Sequence, residues 1–261
     1  MRPTRCVSIV RWLAGGVGLA AASYAAYAGL TWSRYGHPRR PSAAEGADAL
    51  LDRFMPDYEV AERHPILVAA PADVTFAAAA DMDLQDSRII RAIFRAREVI
   101  MGARPDAAAR PRSFLAQVKS LGWGVLAEVP GREVVMGAVT QPWKADVVFH
   151  ALPPEEFARF DEPGFVKIVW TLRADPIGAG ESVFRTETRV VTTDPGAREK
   201  FRRYWALASP GILLIRRVSL GLVKTEAERR ARQAPESHRA ARLAGHSPAA
   251  THQAASSTRR T

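Results

Sequence analysis

The run ESVFRTETRVVTT, residues 181–193, changes side-chain character at every second position. That period belongs to a strand, whose successive side chains point to opposite faces. Phe184, Thr186, Thr188 and Val190 fall on one face, and Arg185, Glu187 and Arg189 on the other. A strand with one apolar face must lie on a core through that face alone. The chain around it therefore needs an antiparallel sheet with something packed on one side. The expectation for the charged row is a solvated outer surface, because burying three charges without tailored partners costs several kcal/mol per ion.

Neighbouring segments extend the pattern. YEVAERHPILVAA (58–70) reads as a first strand, and ADVTFAAAADMD after Pro71 as a helix with Asp73 in its first turn. Ile89, Ile93, Ala96 and Ile100 have helical spacing, with Arg88, Arg91 and Arg95 turned away and Gly102 as the stop. The period then switches. GWGVLAEVPGREVVMGAVTQPW (122–143) is a hairpin about Pro130-Gly131, followed by strands in ADVVFHAL, FVKIVWTLRAD and the opening run. Their short connections require antiparallel neighbours. Asp194-Pro195 then starts the longest helix, with Phe201, Trp205, Ala208, Ile212, Ile215 and Leu222 near one stripe and Tyr204 beside it. Pro210-Gly211 is expected to kink or split that helix. Beyond residue 224 the sequence is Arg-, Ala-, Ser- and His-rich without a period, and is expected to be a disordered basic tail over 225–261.

The N-terminal stretch WLAGGVGLAAASYAAYAGLTW, residues 12–32, carries no charge. As a helix it would be about 31 Å long, matching the hydrocarbon layer. Trp12 and Trp32 bracket it as interfacial aromatics do, so residues 1–35 are expected to form a membrane anchor. A cleavable signal peptide, with Ala26-Tyr27-Ala28 before the cut, is the alternative. Arginines flank the run evenly on both sides, so orientation is not set by charge. Residues 36–50 read as a linker leading to a domain over 51–224.

The net charge of +10 does not reach that domain. Residues 1–50 hold six Arg against Glu45 and Asp48, and residues 224–261 hold eight Lys and Arg against three Glu. Residues 51–223 are left nearly neutral, which argues against a nucleic-acid partner and for basic flanks at a membrane surface. Cys6, the single cysteine, excludes intrachain disulfides and cysteine-ligated zinc. His64 and His150 are the only histidines between 51 and 223 and make a poor metal set, so no metal or cofactor is expected. Either histidine could act as a general base, although a satisfied structural or exposed histidine is the commoner case. Glu155-Glu156 and Asp161-Glu162 fall in a polar crossing between strands, where charges are ordinarily solvated. No phosphate-binding Gly-rich loop, HExxH or Gly-x-Ser-x-Gly elbow is present, so no catalytic residue is nominated.

The order of elements, with HPILVAAPADVTFAAAAD at its start and ETRVVTTDPGAREKFRRYW entering the last helix, resembles the START-like helix-grip superfamily, which includes polyketide cyclases and lipid-binding proteins. The resemblance covers roughly residues 58–223. It implies an α+β fold in which a curved antiparallel sheet grips a long C-terminal helix, here preceded by a transmembrane helix. The interruption at Ser209-Pro210-Gly211 departs from the pattern. The resemblance further implies a cavity between sheet and helix. Trp170, Phe184, Thr186, Thr188, Tyr204 and Trp205 are then the expected lining, able to bind a hydrophobic or amphipathic small molecule such as a lipid or isoprenoid. A cyclase- or hydrolase-type enzyme in the same cavity, or an interaction module with a filled core, are the alternatives.

Overall fold

The computed structural model describes residues 4–39, 41, 47–102 and 111–244, with their side chains except those of residues 4–15, 17 and 234–244. Helix α1 (Thr4–Arg34) and the short α2 (Ala49–Asp52) precede strand β1 (Val60–Val68). Helices α3 (Ala72–Asp81), α4 (Arg88–Met101) and α5 (Phe114–Ser120) follow. Strands β2 (Gly124–Val129), β3 (Glu133–Thr140) and the two-residue β4 (Phe149–His150) lead to α6 (Pro154–Arg159). The long strands β5 (Val166–Pro176) and β6 (Ser182–Thr192) and the helix α7 (Pro195–Ala244) complete the chain. α5 and α6 are too short for a sequence period to reveal.

All pairings are antiparallel, in the order β1-β6-β5-β3-β2, with β4 beside β3. β1 is thus an edge strand, and it carries Pro65 in its middle, opposite Arg185. α3 and α7 cover one face of the sheet, where Val68, Phe76, Val134, Met136, Leu172, Phe184, Leu220 and Val223 form the main core. The arrangement is a helix grip.

Local chemistry sets the helix ends. The Ser87 and Ser113 hydroxyls accept the first free N–H groups of α4 and α5, from Ile90 and Ala116. Gly102, at φ 66°, ends α4 in the left-handed region, as expected. The Asp194 carboxylate accepts from the backbone N–H of Gly196 and Ala197 and starts α7.

Four expectations are corrected. First, α7 runs unbroken through Pro210-Gly211. A proline inside a helix costs about 3 kcal/mol, but packing on both sides holds this one. The Tyr27 hydroxyl bonds the buried Ser209 hydroxyl, and a Cβ on Gly211 would already touch Ile93 of α4. Second, α7 continues past residue 224. Ala227 is fully buried, Glu228 accepts from the Ala69 N–H, and Arg230 pairs with Asp81. Residues 245–261 of the expected tail lie outside the described residues. Third, α4 is rotated from its expected face: Ile90 is buried, whereas Ile89 and Ile100 are exposed.

The fourth correction concerns the charged row on β6. It does face away from α7, yet Glu187 and Arg189 are buried, at 4% and 1% exposure. The segment around α2 lies over the outer face of the sheet, and Leu51, Phe54 and Met55 build a second core there with Val135, Val169 and Phe157. Glu187 receives Arg63 on one side and Arg189 on the other. Arg189 also donates to Asp52 and to the Met55 carbonyl, and its guanidinium lies 4.7 Å from the Tyr58 ring centre. Residues 47–50, expected as the end of the linker, therefore pack with the domain, as residues 51–58 do. Of the expected linker, residues 40 and 42–46 lie outside the described residues.

α1 is helical across the uncharged run. The Trp12 side chain lies outside the described residues. Trp32 is docked on α7: its carbonyl accepts from Arg202, whose guanidinium sits 4.2 Å from the indole. Further back, Tyr24 and Tyr27 bond the Leu207 carbonyl and Ser209. By length and composition, the stretch Pro195–Gln233 of α7 is the one helix among the described residues apolar enough to cross a membrane.

Candidate functional site

A cavity of about 320 Å³ lies between the inner face of the sheet and α7. All six residues expected to line it do so: Trp170 from β5, Phe184, Thr186 and Thr188 from β6, and Tyr204 and Trp205 from α7. Strand register explains the sheet side. Trp170 stands opposite Thr188 and Leu172 opposite Thr186, and paired residues share a face. Helical spacing explains the other side, since Phe201, Trp205, Ile212, Ile215 and Val223 recur along one stripe.

Aromatic rings close the space. Trp123, just before β2, meets Trp170 edge-on at 5.8 Å and stacks on Phe149 at 4.8 Å. Phe114 of α5 packs against Trp170 from the far side. On α7, Trp205 stacks on Phe201. Burial pushes the Tyr204 phenol up, while Arg97 of α4, hydrogen-bonded to it, pulls the other way. α4 is thereby tied to the cavity wall.

The polar groups of the lining are few. Arg216 of α7 reaches into the lining, and its Nη2 donates to the Thr188 hydroxyl. Its Nη1 is out of contact with solvent and has no hydrogen-bond partner. Burial lowers the Arg216 pKa to about 10, opposed by Glu62, and the group stays cationic at neutral pH. Glu62 and His64 stand on β1 opposite Thr188 and Thr186 and so share their face. Burial pushes the Glu62 carboxyl up against the pull of Arg216 and Arg217. Burial, with Arg216 and Arg217 beyond it, lowers the His64 imidazole, whose Nδ1 is also buried and unpartnered.

Arg216 is the site residue that the sequence reading missed. Its signal was available: four residues past Ile212, it falls within the apolar stripe, where a cation has no ordinary place. The other candidates do not join the site. His150 is exposed, at the opposite side of the sheet from His64, edge-on to Phe165. Glu155, Glu156, Asp161 and Glu162 are exposed. No cluster of three His, Cys, Asp or Glu side chains suited to a metal occurs among the described residues.

On the outer face, Glu133 is buried beside Asp48 and Arg173. Burial, then the charge and hydrogen bond of Asp48, raise its pKa to about 7, against the pull of Arg173. The shallow pocket there is lined by Arg53, Arg132, Arg173 and small or aliphatic residues.

No protein-family model and no curated protein matches this chain. Among solved structures it is similar to an aromatase/cyclase from Streptomyces sp. R1128, at 17% identity over 67% of this chain and 96% of that one, with a TM-score of 0.26. A norcoclaurine synthase from Thalictrum flavum matches at 11% identity over 65% and 95%, TM-score 0.31. A START superfamily protein from Mycobacterium smegmatis matches at 13% identity over 67% and 98%, TM-score 0.24. At these scores the likenesses say nothing of ligand or substrate.

Proposed function

We propose that this chain is a binding protein whose cavity holds a hydrophobic or amphipathic small molecule of lipid or isoprenoid type, and that residues 12–32 tether it to a membrane. The observation that carries the binding role is the wall itself. It is aromatic and aliphatic with a few polar groups set among the apolar ones, the usual construction of a small-molecule site. The open volume argues against an interaction module with a filled core. The tether is supported by the uncharged helical run and by exposed Leu19, Tyr24 and Leu30. The apolar stretch of α7 is the poorer anchor, because it lines the cavity and carries Arg216 and Arg217.

Mass spectrometry of an organic extract from membrane-purified protein tests the binding role. A bound small molecule at near-stoichiometric yield is expected, and an empty extract from protein that also ignores added apolar probes would overturn it. A mature chain beginning at Gly29 would replace the tether with a signal peptide. An enzyme remains the second reading, favoured by one observation, the buried and unpartnered Nδ1 of His64, which stands opposite Thr186. Loss of turnover in His64→Ala with ligand binding intact would favour it.

A further inference from the structure

The apolar cavity has one cationic pole, and its chemistry narrows the ligand. Nη2 of Arg216 is occupied by Thr188, whereas Nη1 is solvent-free and unpartnered. A buried donor on a charged group is costly when unmade, and a structural arginine would ordinarily spend it on a carboxylate or a carbonyl. Glu62 acts on Arg216 only through its field, and no ion pair joins them. Elsewhere in the same sheet, the buried Arg189 donates from Nε to Glu187 and from Nη1 to Asp52 and the Met55 carbonyl. Across from Arg216 stand Thr188 on β6, which it bonds, and Glu62 and His64 on β1, which share the face of Thr188 and Thr186; Arg217, next along α7, is exposed. Within the site the cation of Arg216 therefore has Glu62 as its one charged counterpart, at a distance that leaves Nη1 unpartnered.

We propose that Arg216 is the receptor for a single negative charge on the ligand, so that the cavity takes a monoanionic amphiphile: a carboxylate at the Arg216–Thr188 pair with its apolar body against Trp170, Phe184 and Trp205. This rests on the binding role proposed above and names its ligand class. The carboxylate accepts from Nη1, and the Thr188 hydroxyl holds the guanidinium in place from Nη2. The one unpartnered donor matches one carboxylate oxygen, whereas a dianionic phosphate would bring a second charge towards Glu62.

The test uses the full chain in zwitterionic-lipid nanodiscs and two probes of one shape, naphthylacetate and its uncharged isostere naphthylacetamide, followed by quenching of tryptophan emission. The carboxylate is expected to bind about tenfold or more tighter than the amide, the span of one charge-assisted hydrogen bond. Arg216→Met should bring the two within about twofold, and Arg216→Lys should keep part of the preference. Ligand-free Arg216→Met should also melt no lower than wild type, because it removes an uncompensated buried charge. Equal affinity of the two probes for wild type, or a preference that survives Arg216→Met, would overturn the anion site and leave the cavity reading standing. A lower melting temperature in Arg216→Met with an unchanged preference would make Arg216 a structural ion-pair member. Binding of neither probe, with an empty extract, would overturn both readings.

Discussion

Glu187 and Glu133 sit on the same outer face of the sheet, and their surroundings push them in opposite directions. For Glu187, burial raises the carboxyl pKa, but hydrogen bonds and charge from Arg63 and Arg189 outweigh it and hold the value below the ordinary 4.5. A depressed carboxylate contributes stability that is present above its unfolded pKa and is lost as pH falls through the folded one. Glu187→Gln is therefore expected to cost about 3 kcal/mol at neutral pH, since it leaves the buried Arg189 and the half-buried Arg63 short of a charge, and to flatten the loss of stability below about pH 4.5. Denaturant melts across pH check both, and a change under about 0.5 kcal/mol would show the pair to be effectively solvated. For Glu133 the sign reverses. Its pKa is raised from 4.5 to about 7, so its contribution is full below 4.5 and fades as pH rises through 7. Glu133→Gln should be indifferent to pH in that window and more stable than wild type above it. Which way each side chain of β6 points was legible from the period of two. That Glu187 and Arg189 are covered was not, because the cover comes from Asp52, Met55 and Tyr58, over a hundred residues upstream and without a period of its own.

Elements with long repeats were legible as elements; those defined by what packs on them were not. The hairpin about Gly131, the two long strands β5 and β6 and the Asp194 start of α7 each carry their own signal in adjacent residues. The continuity of α7 does not. Pro210 reads as a break until α1 and α4 are placed against Ser209 and Gly211. Its extension past residue 224 is likewise tertiary: small Ala227 and Ala231 fit against the core, and Glu228 and Arg230 reach back to Ala69 and Asp81. A chain stopped after Lys224 should lose about 2 kcal/mol, from the buried alanines and the charged hydrogen bond to Ala69. For a domain of this size that lowers the melting temperature by about 4–8 °C, readable by calorimetry. An unchanged midpoint would return the segment to the role of a solvated tail.

At the scale of the molecule, the two faces of one sheet have divided the work. The outer face is closed by residues 47–58 and α6 into a saturated core with ion pairs, and the inner face is left partly open beneath α7. The six cavity residues were legible because period and helical spacing both aim them inward, whereas the cavity's charge was hidden by Arg216's reading as one more basic residue in an arginine-rich chain. The sheet is also open at its side, since β1 has a neighbour only in β6. Pro65 interrupts that free border in its middle and is itself exposed. A proline offers no N–H to an incoming strand, and prolines of this kind are how open sheets avoid recruiting one another. Pro65→Val should fold, yet it completes a nine-residue border able to template a second copy. Light scattering on slow heating is expected to rise earlier in the variant than in wild type, and coincident traces would show that the border is already guarded by other means. One missing hydrogen at Pro65 thus separates a border that ends the sheet from one on which another strand can be laid.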